Sequence, residues 1–413
     1  MSIQIKPTAC SLILTEDCNL ACKYCFELEK RTTKKMSKDV AKKSIDLIVK
    51  NAIEQKNDTV EIMFFGGEPF LNVDVLFFCA EYIKEIKKDK KINFNTSIIT
   101  NGTLYTEEIE DVIFALSNVS NLSIQISIDG TQKNHDKNRV FKSGDGSFSI
   151  VKKNAKKFIR FFEFIRSNNK ICLHGCLVSE TLNDLFDSYA ELSSIGDCIV
   201  WMMPIHTTTY QEGDSDVYKA QLQKIYSKLE LDFKNGDEFA FNRFSPFDNC
   251  IKKNPNQKRT KPCGAGYSFV SFNTVGDIYP CHSFYFRDTD QSSIIGTLNN
   301  GFDYSAMKKY ADCDTSCMSC VKEKECSCTN CYICISDNFY VNCDILKNIT
   351  GERCLMSRVE KEFEEKILSV TANILDDQKK SHKPDNVSFE MVVTDSLLYI
   401  INQLEIINDK KVD

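Results

Sequence analysis

The sequence predicts an α/β fold built on a parallel sheet, followed by a small irregular region and by C-terminal helices. Between residue 8 and about residue 235, six short runs rich in Ile, Val and Phe alternate with longer segments of helical periodicity. Repeated strand–helix units need right-handed crossovers and hence a parallel sheet, either open or closed into a barrel. After about residue 240 the periodicity fades and Pro, Gly, Asn and Cys become frequent. A segment of this kind usually folds around bound metal rather than around an apolar core.

The individual elements follow from the hydrophobic pattern. Near-continuous apolar runs indicate strands covered on both faces. Helical spacing with Ser37 as an N-cap predicts a first helix at 37–53, and the C-terminal pattern predicts helices around 359–370 and 397–404, separated by a polar break at 376–386. The predicted strands are 9–15, 60–65, 93–100, 122–128, 171–178 and 199–203.

Composition excludes several classes of protein. The 413 residues are 42% hydrophobic and 27% charged, typical of a globular chain, and the net charge of −6 argues against a nucleic-acid binder. The start of the chain has no basic segment leading into an apolar one, and no long uncharged apolar run occurs. We therefore expect neither secretion nor membrane insertion, and a cytoplasmic location.

Cysteine is the unusual component, with 20 residues. In a reducing compartment this number indicates metal or redox chemistry rather than disulfides. Three cysteines lie at 18, 22 and 25, and twelve fall between 250 and 354. We expect the isolated ones to be small buried hydrophobes, namely Cys10, Cys79, Cys172, Cys176 and Cys198.

The first cysteine group, Cys18-x3-Cys22-x2-Cys25, follows the first predicted strand. Barrel-type folds carry their chemistry at that end of the strands. Three thiolates can hold three irons of a 4Fe-4S cluster and leave the fourth open to a small molecule. The alternative, a tetrahedral zinc site, needs a fourth Cys or His within loop distance, and the sequence offers none.

Polar motifs follow the next three predicted strands in order. These are Gly-Gly-Glu-Pro at 66–69, Thr-Asn-Gly at 100–102, and Ser-Ile-Asp-Gly at 127–130 with Arg139 beyond it. Glycines allow close backbone approach, and Glu68 can accept a hydrogen bond from an ammonium group. Each motif alone could be an ordinary turn or surface charge. Their ordered occurrence at consecutive strand ends indicates one site.

The CxxxCxxC motif, with Tyr24 before its last cysteine, resembles the signature of radical S-adenosylmethionine (SAM) enzymes, and the resemblance extends over roughly residues 8–205. It implies a partial (β/α)6 TIM-type barrel over residues 1–235, in which a 4Fe-4S cluster binds SAM and yields a 5'-deoxyadenosyl radical. Asn101 and Ser127 are then expected near the ribose or carboxylate of SAM, and Arg139 against its carboxylate. The residues expected to bind the cofactor are Tyr24, Gly66, Gly67, Glu68, Pro69, Asn101, Ser127 and Arg139.

The later cysteines resemble the SPASM extension of these enzymes, which binds two auxiliary 4Fe-4S clusters. Cys263-x12-Gly276-x4-Cys281 carries the resemblance, and residues 236–354 form this expected domain, with C-terminal helices at 355–413. The nearer cluster is assigned to Cys263, Cys281 and Cys331, completed by Cys250. The outer one is assigned to Cys317, Cys320, Cys326 and Cys343.

The pattern departs from the family at one place. Four residues separate Cys326 from Cys331 where the family has three, so Cys328 and Cys334 compete with Cys331 as ligands. Cys250 lies further from Cys263 than in the sulfatase-maturing relatives. Without it, one iron is open and could bind a substrate thiolate.

The resemblance implies a maturase of peptides or proteins. The formylglycine-forming relatives carry an Asp after the cysteine equivalent to Cys281, whereas this chain has His282, a possible base. We therefore favour thioether (Cys sulfur to carbon) crosslinking of a ribosomal peptide, with oxidation of Cys or Ser to formylglycine as the alternative. A non-enzymatic iron–sulfur electron carrier is the alternative of another class. The expected partners are a Cys-containing peptide and a reductase, flavodoxin or ferredoxin as electron donor.

Overall fold

Strands and helices alternate along the first half of the chain. The computed structural model describes residues 6–27, 31–167, 169–205, 208–246, 264–288, 290–311, 352 and 354–381. The first six strands are β1 (Ala9–Thr15), β2 (Thr59–Gly66), β3 (Asn93–Thr100), β4 (Asn121–Ser127), β5 (Ile171–Leu177) and β6 (Cys198–Pro204). The helices among and after them are α1 (Lys38–Glu54), α2 (Val73–Asp89), α3 (Glu107–Val119), α4 (Gln132–Asn138), α5 (Phe148–Phe164), α6 (Leu185–Ser193) and α7 (Asp214–Lys234).

The six strands pair in parallel and in chain order, from β1 to β6. All six lie where the sequence predicts strands, within one residue at each end. The sheet does not close, because β6 forms one end of its strand order. An open parallel sheet with helical crossovers confirms the predicted partial barrel.

The helices cover the outer face of this sheet. Ser37 caps α1 as predicted: its side chain accepts a hydrogen bond from the N–H of Val40 at 3.2 Å. Ala41, Ile45 and Ile48 are fully buried against the sheet. Helical spacing of apolar residues therefore fixes which face of α1 packs on the strands.

The strands differ from the expected pattern of burial on both faces. Of the first six strands, only β1 is buried along nearly its whole length, whereas β3, β4, β5 and β6 alternate between buried and more exposed residues. In an open barrel the outer face packs on helices and the inner face lines a cavity. The expectation was wrong for β3 to β6 because their second face carries residues, such as Gln125 and Trp201, that stay partly exposed.

The sheet continues beyond the six strands into the cysteine-rich region. Here the elements are β7 (Phe269–Phe272), β8 (Asp277–Tyr279), α8 (His282–Arg287), β9 (Gly296–Thr297), β10 (Gly301–Phe302) and α9 (Tyr304–Ala311). β7 pairs in parallel with β1, and β8, β9 and β10 follow in antiparallel pairs. Residues 264–311 are therefore more regular than the sequence suggests, because their aromatic side chains extend the main core.

A long helix, α10 (Cys354–Ser381), packs along α7. The hydroxyl of Tyr218 donates to Glu360 at 3.1 Å, and Lys366 donates to Gln223 at 3.0 Å. The predicted polar break at 376–386 was placed too early, since α10 continues to residue 381. Residues such as Gln and Lys have high helix propensity, so a polar segment can continue a helix. The helix expected at 397–404 lies outside the described residues.

None of the described helices is long and apolar enough to cross a membrane.

Candidate active site

The three cysteines of the first group lie on the loop after β1. Cys18 and Cys22 form a buried cluster with Leu20, and Cys25 and Phe141 pack against it. The loop therefore gathers the three thiols at the carboxyl end of the sheet, as the sequence predicts.

Two backbone hydrogen bonds tie this loop to the segment after α4. The N–H of Ala21 donates to the carbonyl of Val140 at 2.7 Å, and that of Lys23 donates to Asn138 at 2.9 Å. Arg139 lies between these two acceptors. The same contacts that hold the cysteine loop therefore also fix the backbone of Arg139.

Burial controls the protonation of the thiols. It raises the pKa of Cys18 to about 12 and also raises the pKa of Cys22 and Cys25. Without metal these thiols are neutral, and ligation releases their protons. Within the described ranges, no three His, Cys, Asp or Glu side chains are close enough to hold a single metal ion. Three thiols on one loop are the donor set that a 4Fe-4S cluster can use for three of its irons.

The Gly-Gly turn after β2 supports the cysteine loop from the neighbouring strand. The N–H of Gly67 donates to the carbonyl of Thr15 at 2.9 Å. A Cβ on Gly67 would lie 2.1 Å from the carbonyl oxygen of Asp17 and 3.1 Å from the Cβ of Cys18. Gly66 has φ +127°, a conformation that favours glycine. Only glycines allow the backbone to approach the residues that lead into Cys18.

Glu68 connects this turn to the end of β3. Its buried carboxylate accepts hydrogen bonds from the hydroxyl of Thr100 (2.8 Å), the N–H of Asn101 (2.7 Å) and the N–H of Phe70 (3.1 Å). Burial raises the pKa of Glu68 to about 7. Pro69 opens the short 3-10 turn that follows. Glu68 therefore holds two strand-end loops together, a role that the sequence does not reveal.

Asn101 points toward the cysteine loop. Its Nδ2 donates to Oδ1 of Asn19 at 2.8 Å and lies 3.6 Å from Sγ of Cys18. Its Oδ1 accepts from the N–H of Thr103 at 2.9 Å. The structure therefore brings two predicted site residues, Cys18 and Asn101, into direct contact.

Arg139 and Tyr24 meet at a third residue, Asp129. Nε of Arg139 donates to Oδ1 of Asp129 at 3.0 Å, and the hydroxyl of Tyr24 donates to Oδ2. The guanidinium also lies over the Tyr24 ring, 5.3 Å from its centroid. Burial raises the pKa of Tyr24, so its hydroxyl stays protonated. The ring, the cation and the carboxylate form one buried network beside the cysteine loop.

His135 holds this network in place through hydrogen bonds to Asp129 and Ser147. Its Nδ1 accepts from the N–H of Asp129 at 3.2 Å, and its Nε2 lies 2.8 Å from the hydroxyl of Ser147. That hydroxyl donates to the carbonyl of Arg139 at 2.8 Å. Burial lowers the pKa of His135 to about 4, so the ring is neutral and Nε2 is the donor.

Residues on one face of β4, β5 and β6 lie next to this network. Ser127, His174 and Trp201 lie opposite one another on β4, β5 and β6. The rings of His174 and Trp201 meet edge to face, with centroids 4.8 Å apart. Burial lowers the pKa of His174 to about 4. Of the isolated cysteines, Cys172 and Cys176 lie partly exposed on this face, which corrects their prediction as buried hydrophobes.

That prediction is confirmed for the other isolated cysteines, since they are buried: Cys10, Cys79 and Cys198.

Cys281 and His282 approach the site from β8 and α8. Cys281 is buried directly before α8, and His282 is its first residue. The ring centroid of His282 lies 4.2 Å from that of Phe65 and 6.3 Å from that of Phe26. Phe65 precedes the Gly-Gly turn and Phe26 follows the cysteine triplet. The structure thus brings His282 next to both motifs.

Glu16 joins the cysteine loop to this second region. Its buried carboxylate accepts from the hydroxyl of Thr274 at 2.9 Å and from the hydroxyls of Tyr285 and Thr32. Glu16 lies two residues before Cys18. The position of the loop therefore depends on residues more than 250 positions further along the chain.

Comparison with known proteins identifies this arrangement. The model of the Radical SAM superfamily matches residues 12–175, which include the cysteine triplet and the strand-end motifs. The chain contains a radical SAM domain. Homologues with this domain are enzymes, so the chain is an enzyme rather than an electron carrier.

Two relatives match beyond the radical SAM domain. The radical SAM cyclopropyl synthase TigE of Paramaledivibacter caminithermalis is 23% identical over 342 residues, which cover 78% of this chain and 67% of TigE. The cysteine-type anaerobic sulfatase-maturating enzyme of Clostridium novyi is 26% identical over 344 residues, which cover 78% of this chain and 85% of that enzyme.

A solved structure shares the fold. Native anSMEcpe with bound AdoMet and Cp18Cys peptide has a TM-score of 0.59 and 18% identity, and the match covers 86% of this chain and 99% of that chain. The radical SAM domain thus has the expected open α/β architecture.

Several residues of the site were not found from the sequence. Asp129 lies in the strand-end motif at 127–130, and its position ten residues before Arg139 was the available signal. Glu16 and Arg31, which contact the loop, carried no signal, because their partners depend on the fold. The predicted auxiliary ligands outside the described residues are Cys250, Cys263, Cys317, Cys320, Cys326, Cys331 and Cys343, together with the competing Cys328 and Cys334.

Proposed function

We propose that this chain is a radical SAM maturase of a Cys-containing peptide, and that it forms thioether links between a cysteine sulfur and a carbon atom. SAM and a 4Fe-4S cluster bind at the carboxyl ends of the strands, with Cys18, Cys22 and Cys25 as ligands of three irons. The observation that carries the proposal is the gathering of these three thiols on one loop, with Cys18 and Cys22 buried and Cys18 in contact with Asn101.

The cofactors and the chain have separate roles. When bound, SAM and the clusters supply one-electron cleavage of SAM to a 5'-deoxyadenosyl radical, which takes a hydrogen atom from the substrate, and an acceptor for the electron that remains. The chain excludes water, since Cys18, Cys22, Asn101 and Arg139 are each less than 9% exposed.

Arg139 is the proposed partner of the SAM carboxylate. A guanidinium has five N–H donors, and Asp129 uses one of them. Tyr24 stacks on the same group and, with Asp129, restricts its orientation. A fixed fork with remaining donors suits bidentate binding of a carboxylate.

The Gly-Gly-Glu-Pro turn and Ser127 complete the proposed SAM site. Gly66 and Gly67 allow the turn to lie against the cysteine loop, so that a ligand at the open iron reaches both. Oε1 of Glu68 already accepts two hydrogen bonds and Oε2 accepts one. An ammonium group therefore binds Oε2. Ser127 is buried at the end of β4, the side proposed for the ribose.

Two auxiliary 4Fe-4S clusters are proposed for residues 236–354, held by the cysteines assigned above. Cys281 supports the nearer cluster, because it is buried and directly precedes His282 at the aromatic contact with Phe65. A flavodoxin, ferredoxin or other reductase is the proposed electron donor. With three cubanes, the protein contains about 12 irons.

The choice between two peptide modifications depends on His282. The match to a sulfatase-maturating enzyme supports formylglycine formation as the second candidate. Thioether formation is favoured because a His stands where the formylglycine-forming relatives carry an Asp.

Loss of the three thiols tests the cofactor assignment. We expect the triple variant Cys18→Ala, Cys22→Ala, Cys25→Ala to produce no 5'-deoxyadenosine from SAM under dithionite, because the open iron is lost. Cys79→Ala is the control, since it removes a buried thiol on α2. Cleavage by the triple variant at the wild-type rate would refute the proposal.

The mass of a co-expressed peptide tests the bond that is formed. Loss of two hydrogens with retention of sulfur, in a product resistant to thiol alkylation, supports a thioether. Replacement of the thiol by an aldehyde supports formylglycine formation instead. The His282→Ala variant is expected to cleave SAM at the wild-type rate and to leave the peptide unmodified, because the base acts after hydrogen abstraction.

A further inference from the structure

Arg31 contacts the cysteine loop in a way that the proposed chemistry does not use. Its Nη1 donates to the carbonyl of Leu20, and its Nη2 donates to Sγ of Cys25 at 3.4 Å. One guanidinium therefore bridges two points of the loop, and one of them is the sulfur of a proposed iron ligand.

The charge of Arg31 needs an anion at this position. The side chain is half-buried, and its Nε is a buried atom with no hydrogen-bond partner among the described residues. Glu27 is buried nearby and attracts the guanidinium, but within the described ranges no carboxylate lies within 4.0 Å of it. Sγ of Cys25 lies 3.4 Å from Nη2. Ligated as a thiolate, the same sulfur supplies the missing negative charge.

We infer that Arg31 is a positioning residue that sets the reduction potential of the cluster at Cys18, Cys22 and Cys25. This inference rests on the proposed function. Reduction adds one negative charge to a site that already carries thiolates. A fixed cation with an N–H···S hydrogen bond stabilises the reduced form more than the oxidised form, and so raises the potential. The low dielectric of a buried loop strengthens the effect.

Substitution of Arg31 by lysine and by glutamine separates the effect of its charge from the effect of its forked hydrogen bonds. Arg31→Gln removes the charge and the fork, whereas Arg31→Lys keeps the charge but has no fork to bridge Leu20 and Cys25. Arg160→Gln is the matched control, because it removes the same charge from the exposed side of α5.

The experiment is an EPR-monitored redox titration of the reconstituted full-length proteins, with iron content measured on the same samples. A background that lacks ligands of both proposed auxiliary clusters, Cys263→Ala, Cys281→Ala, Cys317→Ala and Cys320→Ala, separates the signal of the Cys18 cluster from theirs. At a fixed ambient potential, we expect the ratio of reduced to oxidised cluster to fall on the order of tenfold in Arg31→Gln, which is about 59 mV for one electron. This ratio should fall less in Arg31→Lys, and in Arg160→Gln it should equal the wild-type ratio.

The outcomes distinguish this inference from the proposed function. Wild-type potential in Arg31→Gln at equal iron content overturns the role of Arg31 and leaves the proposed function intact. If Arg31→Gln takes up no iron, the test is made on Arg31→Lys. A wild-type ratio of reduced to oxidised cluster in Arg31→Lys also overturns the inference. A wild-type protein that binds no iron at residues 18–25 refutes the proposed function itself.

Discussion

Asp129 is the residue on which the buried strand-end network depends. It binds Arg139 through one carboxylate oxygen and Tyr24 through the other, and the backbone N–H of Cys176 also donates to it at 3.1 Å. The side chains of Asp129 and Arg139 are 1% and 9% exposed. A buried pair of this kind need not add stability by its presence, but loss of one partner leaves an uncompensated charge.

We therefore expect Asp129→Asn to lower the free energy of unfolding by about 3–5 kcal/mol, because the Arg139 charge stays buried without its partner. The isosteric Asp197→Asn removes the exposed partner of Lys170, at 2.6 Å, and serves as the control. Its expected cost is under about 1 kcal/mol. Urea unfolding measures both. Equal losses in the two variants would contradict the importance of the Asp129 network.

The sequence could predict which strand ends carry polar residues, but not which of these residues meet. Tyr24 and Asp129 are 105 positions apart, and their contact depends on the neighbouring positions of the β1 loop and the end of β4. Arg139 is predicted to bind the cofactor carboxylate, but the sequence does not show that Asp129 holds its guanidinium in place. A residue pattern indicates the chemistry of a side chain, while its partner is decided by tertiary packing.

Among the elements, the turn after β2 acts on the loop after β1 through a backbone contact. We expect Gly67→Ala to displace the segment that leads into Cys18, because the new Cβ would lie 2.1 Å from the carbonyl oxygen of Asp17. Backbone atoms cannot rotate away as a side-chain end can. Both the free energy of unfolding and the iron bound after reconstitution should therefore fall.

Gly144→Ala is the control for this variant. Gly144 has φ +93°, and a Cβ added there would have no atom of the described residues within 4 Å. The only expected effect of its substitution is a loss of about 1–2 kcal/mol in the free energy of unfolding, because alanine is strained in the left-handed backbone conformation. Normal iron uptake by Gly67→Ala would show that the turn does not position the cysteine loop.

The strands and helices themselves were predictable because their signals are local. Ser37 begins α1 as predicted, and β1 and β3 have the predicted bounds. The regular part of the cysteine-rich region was not predictable. β8 and β9 contain three and two residues, too few for a period, and they are ordered by pairing with strands of the main sheet.

At the scale of the molecule, the ten strands of the described residues form one sheet. Residues about 260 positions apart meet along β1 and at the loop after it: Ser11 donates to Ser271 at 2.7 Å, and Thr274 donates to Glu16. The geometry of the candidate site therefore depends on the folding of the complete sheet. Any condition that weakens the sheet should also reduce iron binding.

Acid is such a condition, because the buried His135 and the half-buried His174 are neutral in the folded chain. Burial lowers the pKa of His135 and His174 to about 4, from about 6.5 when unfolded. The unfolded chain takes up these protons first as the pH falls. Stability from this source is therefore complete above about pH 6.5 and is lost progressively toward about pH 4. At about pH 5, each histidine should lower the free energy of unfolding by about 2 kcal/mol relative to neutral pH.

The variant His135→Asn tests this assignment. It removes the hydrogen bond to Ser147 and so lowers stability at every pH, but the informative quantity is the change in unfolding free energy between about pH 7.5 and about pH 5. We expect that change to be smaller than in the wild type by about 2 kcal/mol, since one of the two titrating rings is absent. Urea unfolding at the two pH values measures it, and the carboxylates that both proteins share cancel in the comparison. The same pH dependence in both proteins would mean that His135 accepts a proton without unfolding, and that the N–H of Asp129 does not depend on its neutral ring.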